Sequence, residues 1–275
     1  MSKIVIYHGG CSDGFCAAYL CWKCWGDTCE YIPVNYGEAP PIVDGKDVLI
    51  VDFSYKRSVL EEMKAKANSL MVLDHHKTAQ AELANLDYCV FDMNKSGGRL
   101  TWEYLWDQKA LPVRFSTFAR DFPPRIVTFT EDRDLWKWEL PDSKVINAAI
   151  RSYPYDFLVW DKFSDYQYWM NLVYEGRGIL RIQELVVKQH VDKAIETEIS
   201  GYRVLAVNAT TMMSEIGEVL AKDRPFGATW FDDGKGNRIW SLRSREDGID
   251  VSEVAKKFGG GGHKAAAGFK LEIRD

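Results

Sequence analysis

Three short apolar runs of strand character each stop abruptly on groups that a core rejects. Lys3-Ile4-Val5-Ile6-Tyr7 ends in His8, Val48-Leu49-Ile50-Val51 ends in Asp52-Phe53-Ser54, and Met71-Val72-Leu73 ends in Asp74-His75-His76. Helical patterns separate the runs, and this alternation implies a parallel sheet with right-handed crossovers. In open α/β sheets the ligand sits beyond the carboxyl ends of the strands, so polar residues there face a cleft. Neighbouring strands would gather His8, Asp13, Asp52, Asp74, His75 and His76 at one sheet edge. Mixed carboxylate and imidazole donors suit Mn2+, Fe2+, Zn2+ or Co2+ better than Mg2+ or Ca2+, which prefer oxygen shells. Any one of these residues alone would be a solvated cap. But of the five histidines, His8, His75, His76 and His263 all lie in turns after apolar runs, and only His190 sits in an ordinary helical pattern.

At 275 residues and 46% apolar composition the chain suffices for one large domain or two modest ones. No apolar run approaches the roughly 20 residues needed to span a bilayer, and a signal-peptide pattern is lacking, so a cytoplasmic protein without membrane contact is expected. Five of the six cysteines fall within the first thirty residues. Cys21-Trp22-Lys23-Cys24 has the spacing of a zinc knuckle, but no second pair completes it, and free thiols in a reducing compartment are the better reading. A net charge of -5 disfavours long nucleic acids, which demand an extended basic surface, but not a short anionic substrate.

Further along, Tyr88-Cys89-Val90-Phe91 reads as a strand leading to Ser96-Gly97-Gly98 and a helix from about residue 100. Residues 112–174 are mostly helical and aromatic, with the tryptophans read as core packing; Trp136, after the acidic Glu131-Asp132-Arg133-Asp134 turn, is the best stacking candidate. Residues 176–200 read as one connecting helix ended by Gly201. The last 75 residues alternate strands and helices and contain Gly259-Gly260-Gly261-Gly262-His263, where four glycines would expose amides as an anion-binding concavity.

Taken in order, His8 with Asp13-Gly14, Asp52-Phe53-Ser54, Asp74-His75-His76 and the late glycine run with His263 resemble the DHH phosphoesterase family with its DHH-associated C-terminal domain. Cys11-Ser12-Asp13-Gly14-Phe15 and Glu131 to Trp136 look most like its oligoribonuclease (nano-RNase) and cyclic-nucleotide phosphodiesterase branch. The resemblance spans nearly the whole chain. It implies an N-terminal parallel-sheet α/β/α DHH domain over residues 1–175, a helical connector over 176–200, and a smaller mixed-sheet α/β substrate-binding domain over 201–275, with the active site in the cleft between the domains.

The activity it implies is metal-dependent phosphodiester hydrolysis of short oligonucleotides, dinucleotides or cyclic nucleotides to nucleoside monophosphates. The alternatives are a nucleotide 3'-phosphatase or pyrophosphatase-like monoesterase on the same scaffold, and a catalytically lapsed nucleotide-binding module. The implied cofactor is Mn2+, as one or two ions, with Mg2+, Co2+, Fe2+ or Zn2+ as substitutes; the implied assembly is a monomer or homodimer. By position in the family motifs, His8, Asp13, Asp52, His75 and Asp132 would bind metal, with Asp52 bridging and Asp134 as the alternative to Asp132. Asp74 would orient an imidazole, and His76 would face the substrate phosphate. Arg243, Gly260, Gly261, Gly262 and His263 would bind substrate, with Arg99 as a weaker candidate. The first motif departs from the family's Asp-x-Asp. Cys11 or Phe15 stands where a second carboxylate would be, which implies a weaker second ion or Cys11 as a soft ligand.

Overall fold

The computed structural model describes residues 2–273 except 84 and 116, with nothing stated of the side chain of residue 114. The chain divides into two compact units, Met1–Leu180 and Arg181–Asp275.

In chain order the first unit contains β1 (Lys3–His8), α1 (Ser12–Trp25), β2 (Cys29–Val34), β3 (Asp47–Val51), α2 (Arg57–Lys66), β4 (Ser69–Asp74), α3 (Lys77–Leu83), β5 (Cys89–Phe91), α4 (Gly97–Asp107), α5 (Arg125–Asp134), α6 (Ser143–Ile150) and α7 (Phe157–Asp161). Helix α8 (Tyr166–Val191) follows and runs on into the second unit. The five strands are all parallel in the order β2-β1-β3-β4-β5. Because successive side chains point to opposite faces, both faces are apolar, as a doubly covered sheet demands. Val5, Leu49, Val51 and Leu73 join α1, α4 and α5 in one core, while Ile4, Ile6, Val48, Ile50 and Val72 meet Leu60 and Met63 of α2 in the other. The order reverses between β1 and β3, which makes a topological switch point where their carboxyl ends open a crevice. Trp102, Trp160 and Trp169 are buried in the first core, as the reading of tryptophans as packing requires.

The second unit contains β6 (Ile195–Ile199), β7 (Tyr202–Asn208), α9 (Met213–Leu220), β8 (Gly227–Asp232), β9 (Asn237–Arg243), α10 (Val251–Lys256), β10 (Gly261–Gly262) and β11 (Ala266–Glu272). Its six-stranded sheet, β10-β11-β9-β8-β7-β6, is mixed: only β7 and β8 run parallel. One expectation differs here. The helix read over 176–200 ends at Val191, and residues 195–199 form strand β6. Ser200 and Gly201 both take left-handed φ, 53° and 85°, so the glycine marks a tight β-hairpin and not a helix end. The Ile195, Thr197, Ile199 alternation outweighed helical spacing.

Candidate metal centre

The carboxyl ends of β1, β3 and β4 bring the expected residues together. His8 is the last residue of β1, Asp52 follows β3, and Asp74 ends β4 with His75 and His76 directly after. Asp52 takes a left-handed φ of 55°, a conformation that costs most residues of the order of 1–3 kcal/mol and that Asp tolerates better than most. Its amide still donates to Leu73 O at 2.9 Å, so the strained turn stays tied to β4. Asp13 enters from the first turn of α1.

Helix α4 fixes Asp13. The amides of Gly97 and Gly98 donate to its two oxygens at 2.5 and 3.0 Å, and Ser96 Oγ caps the helix by accepting from Arg99 N. A side chain at residue 97 would put its Cβ 2.4 Å from the Asp52 Cβ, so only glycine lets this helix end approach so closely. The positive end of α4 thereby faces carboxylates.

Asp52 is the hub. Its ligand atoms belong to three groups whose donors all lie within 4.8 Å of one another: with His8 and Cys11, with Asp13 and His75, and with Asp74 and His76. His75 Nε2 lies 3.0 Å from Asp52 Oδ1, 3.4 Å from Asp134 Oδ2 and 3.8 Å from Asp13 Oδ2. Asp74 accepts from Ser54 Oγ at 2.9 Å and from the His75 amide at 2.7 Å, and holds His76 Nδ1 at 2.6 Å. That contact fixes the orientation of the His76 ring through Nδ1. Ser54 lay in a motif already singled out, but its role as support for Asp74 was legible only from the fold.

At the fourth motif, Asp134 and not Asp132 reaches the cluster. Two residues apart on a helix point about 200° apart, so only one of the pair can face the site. Asp134 continues the face of the buried Val127 and Thr130 at i+7 and i+4, a spacing that the sequence already held. Asp132 accepts from the Glu139 amide at 2.9 Å and anchors the return of the chain after α5.

The electrostatics describe a site short of positive charge. Burial pushes the Asp13 carboxyl well above its ordinary value, with Asp52 and Asp134 adding to the shift, and burial raises Asp134 as well. Burial also opposes ionisation of Asp52, but the hydrogen bond with His75 and the nearness of the His8 imidazole outweigh it and hold this carboxyl well below the usual range. His8 and His75 are raised in turn: burial disfavours their charge, but Asp52 overrides it, pushing His8 up to about 11. Protons on imidazoles balance the carboxylates, which is the work a cation does in a metal site. Asp52 Oδ2 meanwhile is buried and accepts no hydrogen bond. The donor set of carboxylates and imidazoles, with that unmet oxygen at its centre, fits a divalent cation.

Arg99, Arg243 and the glycine run, expected to bind substrate, make contacts within their own units. Arg99 donates to Glu103 Oε1 and to Asp121 O, and so clamps α4 to the following loop. Arg243 donates to Ser241 Oγ and Leu242 O of its own strand β9 and to Ser214 Oγ of α9. The glycine run differs from the open concavity expected. Gly259 N and Gly260 N bond to Lys256 O and Ala255 O and so close α10, while His263 N bonds to Ala266 O. A Cβ at residue 260 would lie 2.1 Å from Gly268 O, so close packing on β11 explains that glycine.

A model of the DHHA1 domain matches residues 204–274. "Uncharacterized protein R106" of Acanthamoeba polyphaga mimivirus is 31% identical over 96% of this chain and 66% of its own length. The match lies beside an ordered set of motifs now seen to converge on Asp52. The chain belongs to the DHH family. A second relative of this DHH protein, "Oligoribonuclease NrnB" of Bacillus subtilis, is 25% identical over 77% of this chain and 55% of its own length. The chain thus spans between about half and two thirds of the curated relatives it matches. Its fold is shared with an exopolyphosphatase-related protein from Bacteroides fragilis, at a TM-score of 0.54 and 12% identity, covering 100% of this chain and 88% of that one. No described helix is long and apolar enough to cross a membrane.

Proposed function

We propose that this DHH protein is a metal-dependent phosphodiesterase that hydrolyses short oligonucleotides, dinucleotides or cyclic nucleotides to nucleoside monophosphates. The observation that carries the reading is the single carboxylate, Asp52, shared by three donor groups at the carboxyl ends of parallel strands. His8, Asp13, Asp52, His75 and Asp134 would hold one or two divalent cations, with Mn2+ as the ion of first choice. A pair of such cations supplies charge neutralisation at the phosphoryl oxygens and lowers the pKa of water. Asp74, anchored by Ser54, holds His76 by Nδ1, so that its other nitrogen donates to a phosphoryl or leaving oxygen. By the family resemblance Arg243 and His263 would contact the substrate's phosphate, while the amides of Gly259 and Gly260 are spent on closing α10. The NrnB relative, named an oligoribonuclease, supports short oligonucleotides as the substrate class. Six cysteines, none of them in a disulfide, accord with a reducing, cytoplasmic setting.

The test compares initial rates on a labelled dinucleotide, a cyclic mononucleotide and a nucleoside 3',5'-bisphosphate with Mn2+, using His76→Ala as control. Diester cleavage that depends on Mn2+ and falls by about two to four orders of magnitude in the variant is expected. Faster cleavage of the monoester overturns the substrate class, and no cleavage with any divalent metal overturns the enzyme.

A further inference from the structure

Cys11 stands at the turn between β1 and α1, where the family's first motif carries a carboxylate. Its sulfur, a His8 ring nitrogen and an Asp52 oxygen lie within 4.8 Å of one another. His8 Nδ1 is 3.5 Å from Asp52 Oδ2, and that oxygen belongs to a side chain 1% exposed and accepts no hydrogen bond. A buried carboxylate oxygen and an imidazole nitrogen that face each other without a hydrogen bond, beside a thiol, have the arrangement of a ligand set and not of a packing contact. The rings of Phe53 and Tyr36 lie against His8 and restrict its rotation.

We propose that Cys11 is a ligand, and that His8, Cys11 and Asp52 form a site for a thiophilic divalent cation of the Zn2+, Fe2+ or Co2+ kind. The inference rests on the cation reading above and gives that site a different preference. Thiolate and imidazole donors select borderline ions, and Mg2+ gains little from sulfur. The thiol loses its proton as the sulfur–metal bond forms, and the proton leaves to solvent: Cys–SH and M2+ become Cys–S–M+ and H+. An aspartate at this place would hold Mg2+ and Mn2+ about equally by charge, so the exchange of oxygen for sulfur narrows the range of ions.

Titrating the full-length, metal-free protein with Co2+ tests this, with absorption and equilibrium dialysis recorded together. A near-ultraviolet thiolate-to-cobalt charge-transfer band is expected to grow as Co2+ binds. It should vanish in Cys11→Ser and Cys11→Asp and persist in Cys24→Ser. Cys11→Asp should still bind an ion, with its preference for Zn2+ over Mg2+ lowered by about tenfold or more. Circular dichroism of each variant separates loss of the ligand from loss of the fold. Co2+ bound without the band overturns the role of Cys11 and leaves the cation reading standing, whereas no Co2+ bound at all overturns that reading itself.

Discussion

Between Asp132 and Asp134 the helix decides, and the decision is measurable. Asp134→Asn keeps the shape but removes a charge 3.4 Å from His75 Nε2, so Mn2+ affinity by calorimetry should fall by about 10–100-fold. Asp132→Ala should leave that affinity nearly unchanged and cost about 1 kcal/mol of stability by urea unfolding, through the lost bond to the Glu139 amide. Equal losses of affinity would return Asp132 to the site. Arg99 leads to a second expectation. Its partner Glu103 is 4% exposed and also pairs with Lys95 and Arg120 at 2.9 and 3.1 Å. Burial opposes its charge, but the hydrogen bonds from Arg99 and Lys95 prevail and hold the carboxyl below its ordinary 4.5. The folded value lies under the unfolded one, so this contribution is complete above the unfolded value and is lost as pH falls through the folded one. Glu103→Gln should therefore lose about 1.5–3 kcal/mol at neutral pH, with the gap to the parent closing in acid. A gap that persists at low pH would mean that packing, not charge, holds the cluster.

At the scale of elements, the helix end at Gly97 and Gly98 carries the sharpest consequence. A methyl at 97 meets the Asp52 Cβ at 2.4 Å, between two backbone-anchored groups, whereas one at 98 meets Asp13 Oδ1 at 3.0 Å. Gly97→Ala should cost about 1–3 kcal/mol in urea unfolding and weaken Mn2+ binding, with Gly98→Ala clearly milder. The reverse order would show that α4 is free to shift. The strands that carry this site were legible because each runs apolar and then stops on His8, Asp52 or Asp74, a break that only a strand end explains. Helix α3 and strand β6 were not legible. The seven residues after the imidazoles hold a single large apolar side chain, Leu83, too few to show a period, and Ile195 to Ile199 could be read at either period until pairing with β7 chose between them. The surroundings of Arg99 were not legible for a related reason. A charged side chain near a motif reads alike whether it faces a ligand or, as Arg99 does, a buried Glu103.

The two units each have their own cores: two in the first, on either face of its parallel sheet, and two in the second, built on its mixed sheet. Independent cores imply that heat unfolds the units in separable steps. The cation ligands proposed above, from His8 to Asp134, all lie in Met1–Leu180. A ligand stabilises only what must fold to bind it, by about 2.7 kcal/mol when it is present at roughly 100 times its Kd. For a unit of this size each kcal/mol moves the midpoint by about 2–4 °C, so saturating Mn2+ or Zn2+ should raise one calorimetric transition by roughly 5–11 °C. The other transition should stay in place, because the second unit offers the ion no comparable cluster of its own among its described residues. In the Asp52→Asn variant the metal-induced shift should disappear, since the removed charge belongs to all three donor groups. If the parent's two transitions rise together, the cores do not unfold independently. If neither moves at saturating metal, the carboxylates and imidazoles around Asp52 hold no cation, and the balance of charge there is kept by protons alone.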